Sequence, residues 1–448
     1  MKFLIRGKCL ALALRLLDEG NQVRLSDPFS RTTGEGIVEL TDFDKGVRWA
    51  DIVVFDINDG KLPQEAEKLR SQHMKVIGSS EFAGKLENDR SFGARVAREA
   101  GIEVREFTVF KGHSAFSDAR DFLSDKRENS EWVWKANQSS PDDPPTYVGT
   151  GGLQHFVRML RHYEQFYKES GRTASFVLME RVEGVEVSTE GWFNGRQFFL
   201  PNHTIEKNRL FNEDLGPKTG CSGCVVWSGQ GSPLYERLIP PLAAALAGKY
   251  CGPVDINAII EDDSNEPVFL EFTSRFGYDA IYALLELLDG ELGSILYSLA
   301  SGQLIQASLR PEKFAATVRL YIPPYPEDGK CEAEALGVPI DGFDPSRYNS
   351  HISPCDLMVD EEGDVVAASP GGQLFAISDI GNDIQSAYHA AYQHIKSLEV
   401  PQVGYRTDLP ESVGKVYKKL QATGWLGGKV RNDSSPKLQL FKKDKRYG

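Results

Sequence analysis

Apolar and polar side chains alternate strictly in two neighbouring runs, GPVDINAII (252–260) and VFLEFTSRFG (268–277). In a strand, alternate residues share a face. Val254, Ile256 and Ala258 therefore point one way, and Asp255 and Asn257 the other. By the same rule Glu271, Thr273 and Arg275 share a face, with Leu270 and Phe272 opposite. EDDSNEP (261–267) is turn-forming, so the pair predicts an antiparallel hairpin. One face of that hairpin offers oxygen ligands and a guanidinium, a set that suits Mg²⁺ and phosphate. A solvated sheet face with ordinary polar residues is the alternative.

Upstream, strand-like and helix-like patterns alternate over residues 1–80. KFLI, a helix to Glu19, QVRLSD, DIVVFDI, a polar helix and MKVIG follow one another. This predicts a small doubly wound α/β domain. Its first turn holds only Gly7 and no GxGxxG, so dinucleotide binding there is disfavoured, although Asp27 stands at a ribose-compatible spacing. LENDRSFGARVAREAGI predicts a helix, and EFTVF and EWVWKAN predict strands. SSPDDPPTYVGTGG (139–152) is a Gly/Pro loop before a helix with a Leu153, Phe156, Leu160, Tyr163 stripe. Free N–H groups in such a loop can cradle phosphate, although most Gly/Pro loops are only loops.

FVLMERVEGVEVSTEGWF (176–193) predicts two strands with Glu180 and Glu186 flanking a turn at Glu183 and Gly184. Residues 202–224 lack periodicity and read as a disordered or binding loop. PLYERLIPPLAAALAGKY predicts a helix, and one or two apolar helices follow the hairpin. From 313 to 425, four short strands and a single amphipathic helix (382–399) predict an α+β domain, with a basic tail over 426–448.

Composition narrows the class without naming it. The 448 residues are 41% hydrophobic and 26% charged, as in ordinary globular proteins. A net charge of -13 argues against general nucleic-acid or anionic-membrane binding. The first twenty residues read as strand, turn and helix rather than a signal peptide, and no run reaches membrane-spanning length. Six cysteines in so long a chain predict reduced thiols and a cytoplasmic protein. Cys221 and Cys224 form a CxxC without the second pair or histidines that zinc needs.

Taken in order, five segments resemble the ATP-grasp ligases, and most of all phosphoribosylamine–glycine ligase. IGSSEFAGKLENDRSFGARVAREAGIEV resembles the helical segment before the family's nucleotide lid, and LMERVEGVEVS its adenine hinge. IEKNRLFNEDLGPKTGCSG resembles the GPNTGGMG loop and FLEFTSRFG the EFNxRFGDPE metal strand. FAISDIGNDIQSAYHAAYQHI with YRTDL resembles the C-terminal domain. The implied fold class is α/β, an ATP-grasp fold at 81–312 (lid about 105–183) preceded by the small doubly wound domain and followed by the α+β domain.

The resemblance implies ATP and Mg²⁺ (or Mn²⁺) as cofactors. It places Arg90 and Lys135 at the phosphates, Glu180 and Val182 at adenine, and Glu186 on the ribose. Glu271 and Thr273 stand at the metal. Arg275, Lys207 and Arg209 stand with the reacting groups. Asp255 and Asn257 join the metal set from the hairpin pattern instead. The implied reaction is ADP-forming ligation of an amino acid, glycine foremost, to an amine acceptor through an acyl phosphate. The expected partners are small molecules, phosphoribosylamine among the candidate acceptors, and the expected state is a monomer or homodimer.

Several positions depart from the family. Thr273 replaces the metal-strand asparagine, and Lys218 the GPNTGG asparagine. Lys207, Asn208 and Arg209 replace HKR, and Tyr278, Asp279 and Ala280 replace DPE. RGKCLA replaces the GGREH turn, and NDGKLP replaces PEAPL. The last two remove anchors for the acceptor. Three alternatives follow: a different acceptor amine, a nucleotide-binding protein without catalysis, or biotin-dependent carboxylation on the same fold.

Overall fold

A computed structural model describes residues 1–137, 143–326 and 335–427. The start of the 139–152 loop, Cys331 and nearly all of the basic 426–448 tail lie outside the described residues.

The chain opens with β1 (Lys2–Arg6), α1 (Leu10–Asp18), β2 (Gln22–Ser26), β3 (Glu39–Leu40), α2 (Phe43–Trp49), β4 (Ile52–Phe55), α3 (Leu62–Ser71) and β5 (Lys75–Ile77). The five strands run parallel in the order β3-β2-β1-β4-β5, as the strand–helix alternation predicts. Phe3 and Ile5 pack with α1, while Leu4, Val53 and Phe55 pack with α3. Both faces of the central strands are covered, so Phe3–Ile5 and Ile52–Phe55 are continuously apolar.

Next come α4 (Glu81–Asn88) and α5 (Arg90–Glu99). Ser80 and Asp89 accept the N–H groups of Ala83 and Phe92, and these two caps split the predicted single helix. β6 (Phe107–Lys111), α6 (Ala115–Ser124), β7 (Trp132–Ala136), β8 (Tyr147–Val148), α7 (Leu153–Ser170) and β9 (Ser175–Glu180) build a four-stranded antiparallel sheet, β6-β9-β7-β8. The predicted stripe of α7, Leu153, Phe156, Leu160 and Tyr163, packs on Trp134 and Phe176 of this sheet.

At Arg181–Glu183 the chain leaves this sheet for a larger one. Its members and connections are β10 (Gly184–Phe193), β11 (Phe198–Glu206), β12 (Arg209–Phe211), β13 (Leu215–Lys218), β14 (Gly223–Ser228), α8 (Pro233–Leu238), α9 (Ala243–Leu246), β15 (Gly252–Glu261), β16 (Pro267–Thr273), α10 (Ala280–Leu287), β17 (Leu288–Asp289), α11 (Leu292–Ala300), β18 (Ser308–Leu309), β19 (Phe314–Tyr321), β20 (Ile352–Pro354), β21 (Leu357–Val359), β22 (Val365–Ala367), β23 (Gln373–Gly381), α12 (Ile384–Ile395) and α13 (Leu409–Ala422). Eight of these strands form one sheet, β16-β15-β10-β11-β14-β19-β23-β20.

Several expectations change here. β9 and β10 do not face each other across a turn; they belong to different sheets, and 181–183 is the crossing between them. Residues 202–206 are not loop. They lie in β11, where the buried polar side chains of Asn202 and His203 find partners in Glu190, Thr189 and Ser232. Those polar residues hid the strand. Pro240 and Pro241 break the predicted helix of 233–250 into α8, a 3₁₀ turn and α9. A second helix, α13, follows α12 near the C-terminal end, so the α+β region holds two helices. β19, β23 and β20 extend the central sheet directly, and α12 packs on β23 and β19. Among the described residues no helix is long and apolar enough to cross a membrane.

Candidate active site between the two sheets

The hairpin forms with Asp255 opposite Thr273 and Asn257 opposite Glu271. Beyond Asn257 the register shifts, and Ala258 faces Phe269. One extra residue is absorbed on β16, which re-aims its neighbours. Phe269 and Phe272 both enter the core, while Leu270 turns out beside Arg90 and Lys135. The expectation that Leu270 lies opposite Glu271 with Phe272 is corrected by this bulge.

Glu271 occupies the mouth of the cleft with 41% of its side chain exposed. Its Oε2 lies 2.8 Å from Arg90 Nη1 and 3.8 Å from Lys135 Nζ. Arg90 starts α5, and its Nε also donates to Ala136 O. Lys135 comes from β7 of the smaller sheet, so this trio spans both sheets. Burial alone would raise the Glu271 carboxyl, but Lys135 and Arg90 outweigh it and hold it down to about 2. Burial lowers the Lys135 ammonium, against the pull of Glu271. Arg90, Lys135 and Leu270 also line a pocket with Ala94, Val104, Arg105 and Val177. Apolar walls with cations beside them suit a flat base with a polyanion.

Behind Glu271 the face of the larger sheet is acidic. Asn257 Nδ2 donates to Glu186 Oε1 at 3.0 Å, while its buried Oδ1 has no partner among the described residues. Burial, then Glu190 and Glu206, push the Asp255 carboxyl well above its usual range. Glu206 rises to about 7 through burial and the charge of Glu186, against Arg275. Crowded carboxyls and an orphaned amide oxygen are a donor set that a hard divalent cation would satisfy. Their oxygens do not close on one point: among the described residues the tight metal-type cluster lies elsewhere. Phosphate oxygens would have to complete the coordination. Thr273 is half-buried opposite Asp255 and has no recorded side-chain hydrogen bond.

Arg275 is anchored rather than free. Its Nε donates to Glu87 Oε1 at 2.9 Å, and its guanidinium lies 4.0 Å from the centre of the Tyr278 ring. Glu87 on α4 went unnoticed in the sequence because it belongs to no oxygen-rich alternation. Glu206 was missed because its strand read as loop, and Glu190, on a predicted strand, carried no local sign of a site.

The remaining candidates are placed apart. Lys207 Nζ contacts Asp214 Oδ2 at 3.0 Å, and Arg209 Nη1 donates to Gly216 O, so both brace the β12–β13 ribbon. Lys218, at the end of that ribbon, adds positive potential at both Glu271 and Lys135. Val182 sits in the crossing between sheets. Glu180 is exposed and lines a shallow cleft with Arg98, Arg105 and Trp132, outside the cavity at Lys135. Cys221 and Cys224 are buried free thiols.

Comparison with solved structures matches this architecture. A phosphoribosylamine–glycine ligase from Thermotoga maritima superposes with a TM-score of 0.72 at 18% identity, over 91% of this chain and 100% of that one. The chain has the ATP-grasp fold of these ligases. A biotin carboxylase from Campylobacter jejuni shares the fold at a TM-score of 0.63 and 12% identity, covering 95% and 98% of the two chains. In sequence, the chain is 24% identical to phosphoribosylamine–glycine ligase of Leptospira interrogans over 367 residues, 80% of this chain and 83% of that protein. It is 24% identical to the Mycobacterium leprae phosphoribosylamine–glycine ligase over 396 residues, 86% and 87% of the two. No protein-family model matches the chain.

Two of the departures from the ATP-grasp ligase pattern, the turn after β1 and Tyr278, meet at a second cavity between the N-terminal sheet and the larger one. Lys8, Cys9, Asp56, Tyr278, Arg319 and Asp356 line it. The turn after β1 closes on Asp56, whose Oδ2 accepts the N–H groups of both Lys8 and Cys9. Gly7 is required there. Its φ is +153°, and a Cβ would overlap the Asp56 carboxylate. Burial drives the Asp56 carboxyl up to about 6, against those two hydrogen bonds.

A carboxyl raised above its unfolded value near 4 holds its proton better in the native state. The associated stability is present below about pH 4 and is lost as pH rises through about 6. Asp56→Asn is therefore expected to be more stable than the parent at pH 7, by about 3 kcal/mol at most, with no difference below pH 4. Thermal melts of both proteins across this range check it, and a pH-independent gap would contradict the burial argument.

Proposed function

We infer that the chain is an ATP-dependent, ADP-forming ligase that joins the carboxylate of an amino acid, glycine foremost, to an amine. The observation that supports this most is the Arg90–Glu271–Lys135 trio, which links the two sheets beside a pocket with apolar walls. Arg90 and Lys135 would neutralise the triphosphate, and Leu270 and Val177 would flank adenine. The crossing at Glu180 and Val182 would meet its edge, and Glu186 the ribose. Glu271 and Asn257, with Asp255 and Thr273 nearby, would hold Mg²⁺ or Mn²⁺ between protein and phosphate oxygens. The metal supplies charge neutralisation at the transferring phosphoryl group.

A carboxylate is a poor electrophile. Transfer of the γ-phosphoryl group to it releases ADP and leaves an acyl phosphate. The amine then forms the C–N bond as phosphate departs and a proton is lost. The protein has mainly to position the reactants and offset charge. Arg275, held by Glu87 and Tyr278, is pre-aimed for the carboxylate or the phosphoryl group, and Lys207 and Arg209 would steady the ribbon beside it. The four-stranded sheet would serve as a lid that excludes water. We place the protein in the cytoplasm, as a monomer or homodimer.

One observation favours an acceptor other than phosphoribosylamine. The amides of Lys8 and Cys9, which begin α1 and would suit an acceptor phosphate, already bond to Asp56. ADP release with Mg²⁺-ATP, glycine and fresh phosphoribosylamine, each omitted in turn, tests both points. Release that requires all three identifies phosphoribosylamine as the acceptor. Release with an amino acid but indifferent to phosphoribosylamine supports the ligase with another amine. No ADP with any amino acid overturns the proposal.

A further inference from the structure

Far from this site, four side chains converge that the ligase chemistry does not use. His351 precedes β20, Asp379 is on β23, His394 is in the last turn of α12 and Glu286 is on α10. His351 Nδ1 lies 3.0 Å from Glu286 Oε1 and 3.7 Å from Asp379 Oδ1, and His394 Nε2 lies 2.9 Å from Asp379 Oδ2. One ligand atom from each of His351, Asp379 and His394 falls within 4.8 Å of the others. The two imidazoles stack, with centres 4.5 Å apart and planes 14° from parallel. β23 lies six strand positions from β16, roughly 29 Å across the sheet, so this cluster is separate from Glu271.

The cluster is compact enough to close on a metal. Zinc–nitrogen and zinc–oxygen bonds of about 2.0–2.2 Å in a tetrahedron set the ligand atoms roughly 3.3–3.5 Å apart. The contacts of Asp379 with the two histidines, 3.7 Å through one oxygen and 2.9 Å through the other, lie near that range, so a small movement closes the three ligands on an ion. Charge gives a second argument. Among the described residues, Glu286 and Asp379 form ion pairs with these histidines and with no lysine or arginine. Two stacked imidazolium rings would repel each other. Two neutral imidazoles, two carboxylates and one divalent cation balance to zero. Outer contacts also hold the carboxylates in place: Ser378 Oγ donates to Glu286 Oε1 at 3.2 Å, and the Ile380 N–H donates to Asp379 Oδ1 at 2.6 Å.

We propose that His351, His394 and Asp379, with Glu286 beside His351, form a binding site for a transition-metal dication, zinc foremost. Two nitrogen ligands select such an ion over Mg²⁺. Three protein ligands leave a fourth position for water, and Glu286 acts on the site through its contact with His351. It ties α10 to β20, β23 and α12, and so fastens the C-terminal strands of the sheet to the helix that follows the candidate active site.

The test uses the full chain, stripped with chelator and dialysed against ZnCl₂. One zinc per chain is expected, with a higher melting temperature than the stripped protein. Co²⁺ in its place should give the intense visible bands of a four-coordinate N/O site. His351→Ala and His394→Ala should abolish stoichiometric zinc and the thermal shift. Glu286→Gln, which keeps the shape, should weaken binding about 10–100-fold. A Cys221→Ser/Cys224→Ser variant should still bind one equivalent, which excludes the CxxC as the site. If either histidine variant fails to fold, Glu286→Gln alone decides. The proposal is overturned by a folded parent that takes up no zinc, or by zinc binding that survives in the histidine variants or is unchanged in Glu286→Gln.

Discussion

Glu271→Ala is expected to lower Mg²⁺-ATP turnover by about 100–1000-fold, the scale for removing a group aimed at developing charge, while the protein stays folded. The carboxylate is held far below its usual range by Lys135 and Arg90, so it is an anion at any working pH. Arg90 keeps its bond to Ala136 O after the substitution. Glu271 is 41% exposed, so its ion pair contributes on the order of 1 kcal/mol or less to stability. Loss of turnover with little loss of stability therefore separates a metal-holding role from a structural one. Glu271→Gln should fail in the same way, because it keeps the shape and lacks the charge. Steady-state ADP release and a thermal melt on each variant check this. Parent-level turnover in Glu271→Ala would remove the residue from the site.

Asp279→Ala should be the most damaging single change to stability, costing about 3–5 kcal/mol of a total of roughly 5–15. Asp279 is fully buried and ion-paired with Arg319, itself only 2% exposed. Arg319 also reaches Cys355 Sγ at 3.2 Å beneath the Asp56 cavity. Removing the carboxylate leaves a guanidinium buried without its counter-ion. Replacing both partners, Asp279→Leu with Arg319→Met, should recover much of the loss, since the penalty lies in the uncompensated charge. Urea unfolding of the parent and the two variants reads this directly. A small cost for Asp279→Ala together with a larger one for the double variant would mean that the pair is not what supports this layer.

The site was legible where a local pattern carried it. Period-two alternation placed Asp255 with Asn257, and Glu271 with Thr273, on shared faces before any coordinates, because a half-buried strand must sort its side chains by face. The same rule failed one residue away at Leu270. A bulge adds a residue without changing composition, and only the match to β15 reveals it. Likewise 176–193 holds two strands by any local measure, yet nothing local says that they join different sheets. β11 was hidden by Asn202 and His203, whose burial is tolerable only because Glu190, Thr189 and Ser232 happen to face them. Glu87 was invisible until α4 was laid beside Arg275.

The sequence by itself determined the strand–helix alternation of the first 80 residues, the apolar stripe of α7 and the polar face of the hairpin. Each of these is dictated by neighbours within a few residues, through backbone periodicity and solvent exclusion. Tertiary structure alone decided that Lys135 crosses from the smaller sheet to meet Glu271, that Asp56 occupies the amides of the first turn, and that His351, Asp379, His394 and Glu286 come together. Those are contacts between residues far apart in the chain. Their energies depend on distance and burial, and neither is written in the order of the residues.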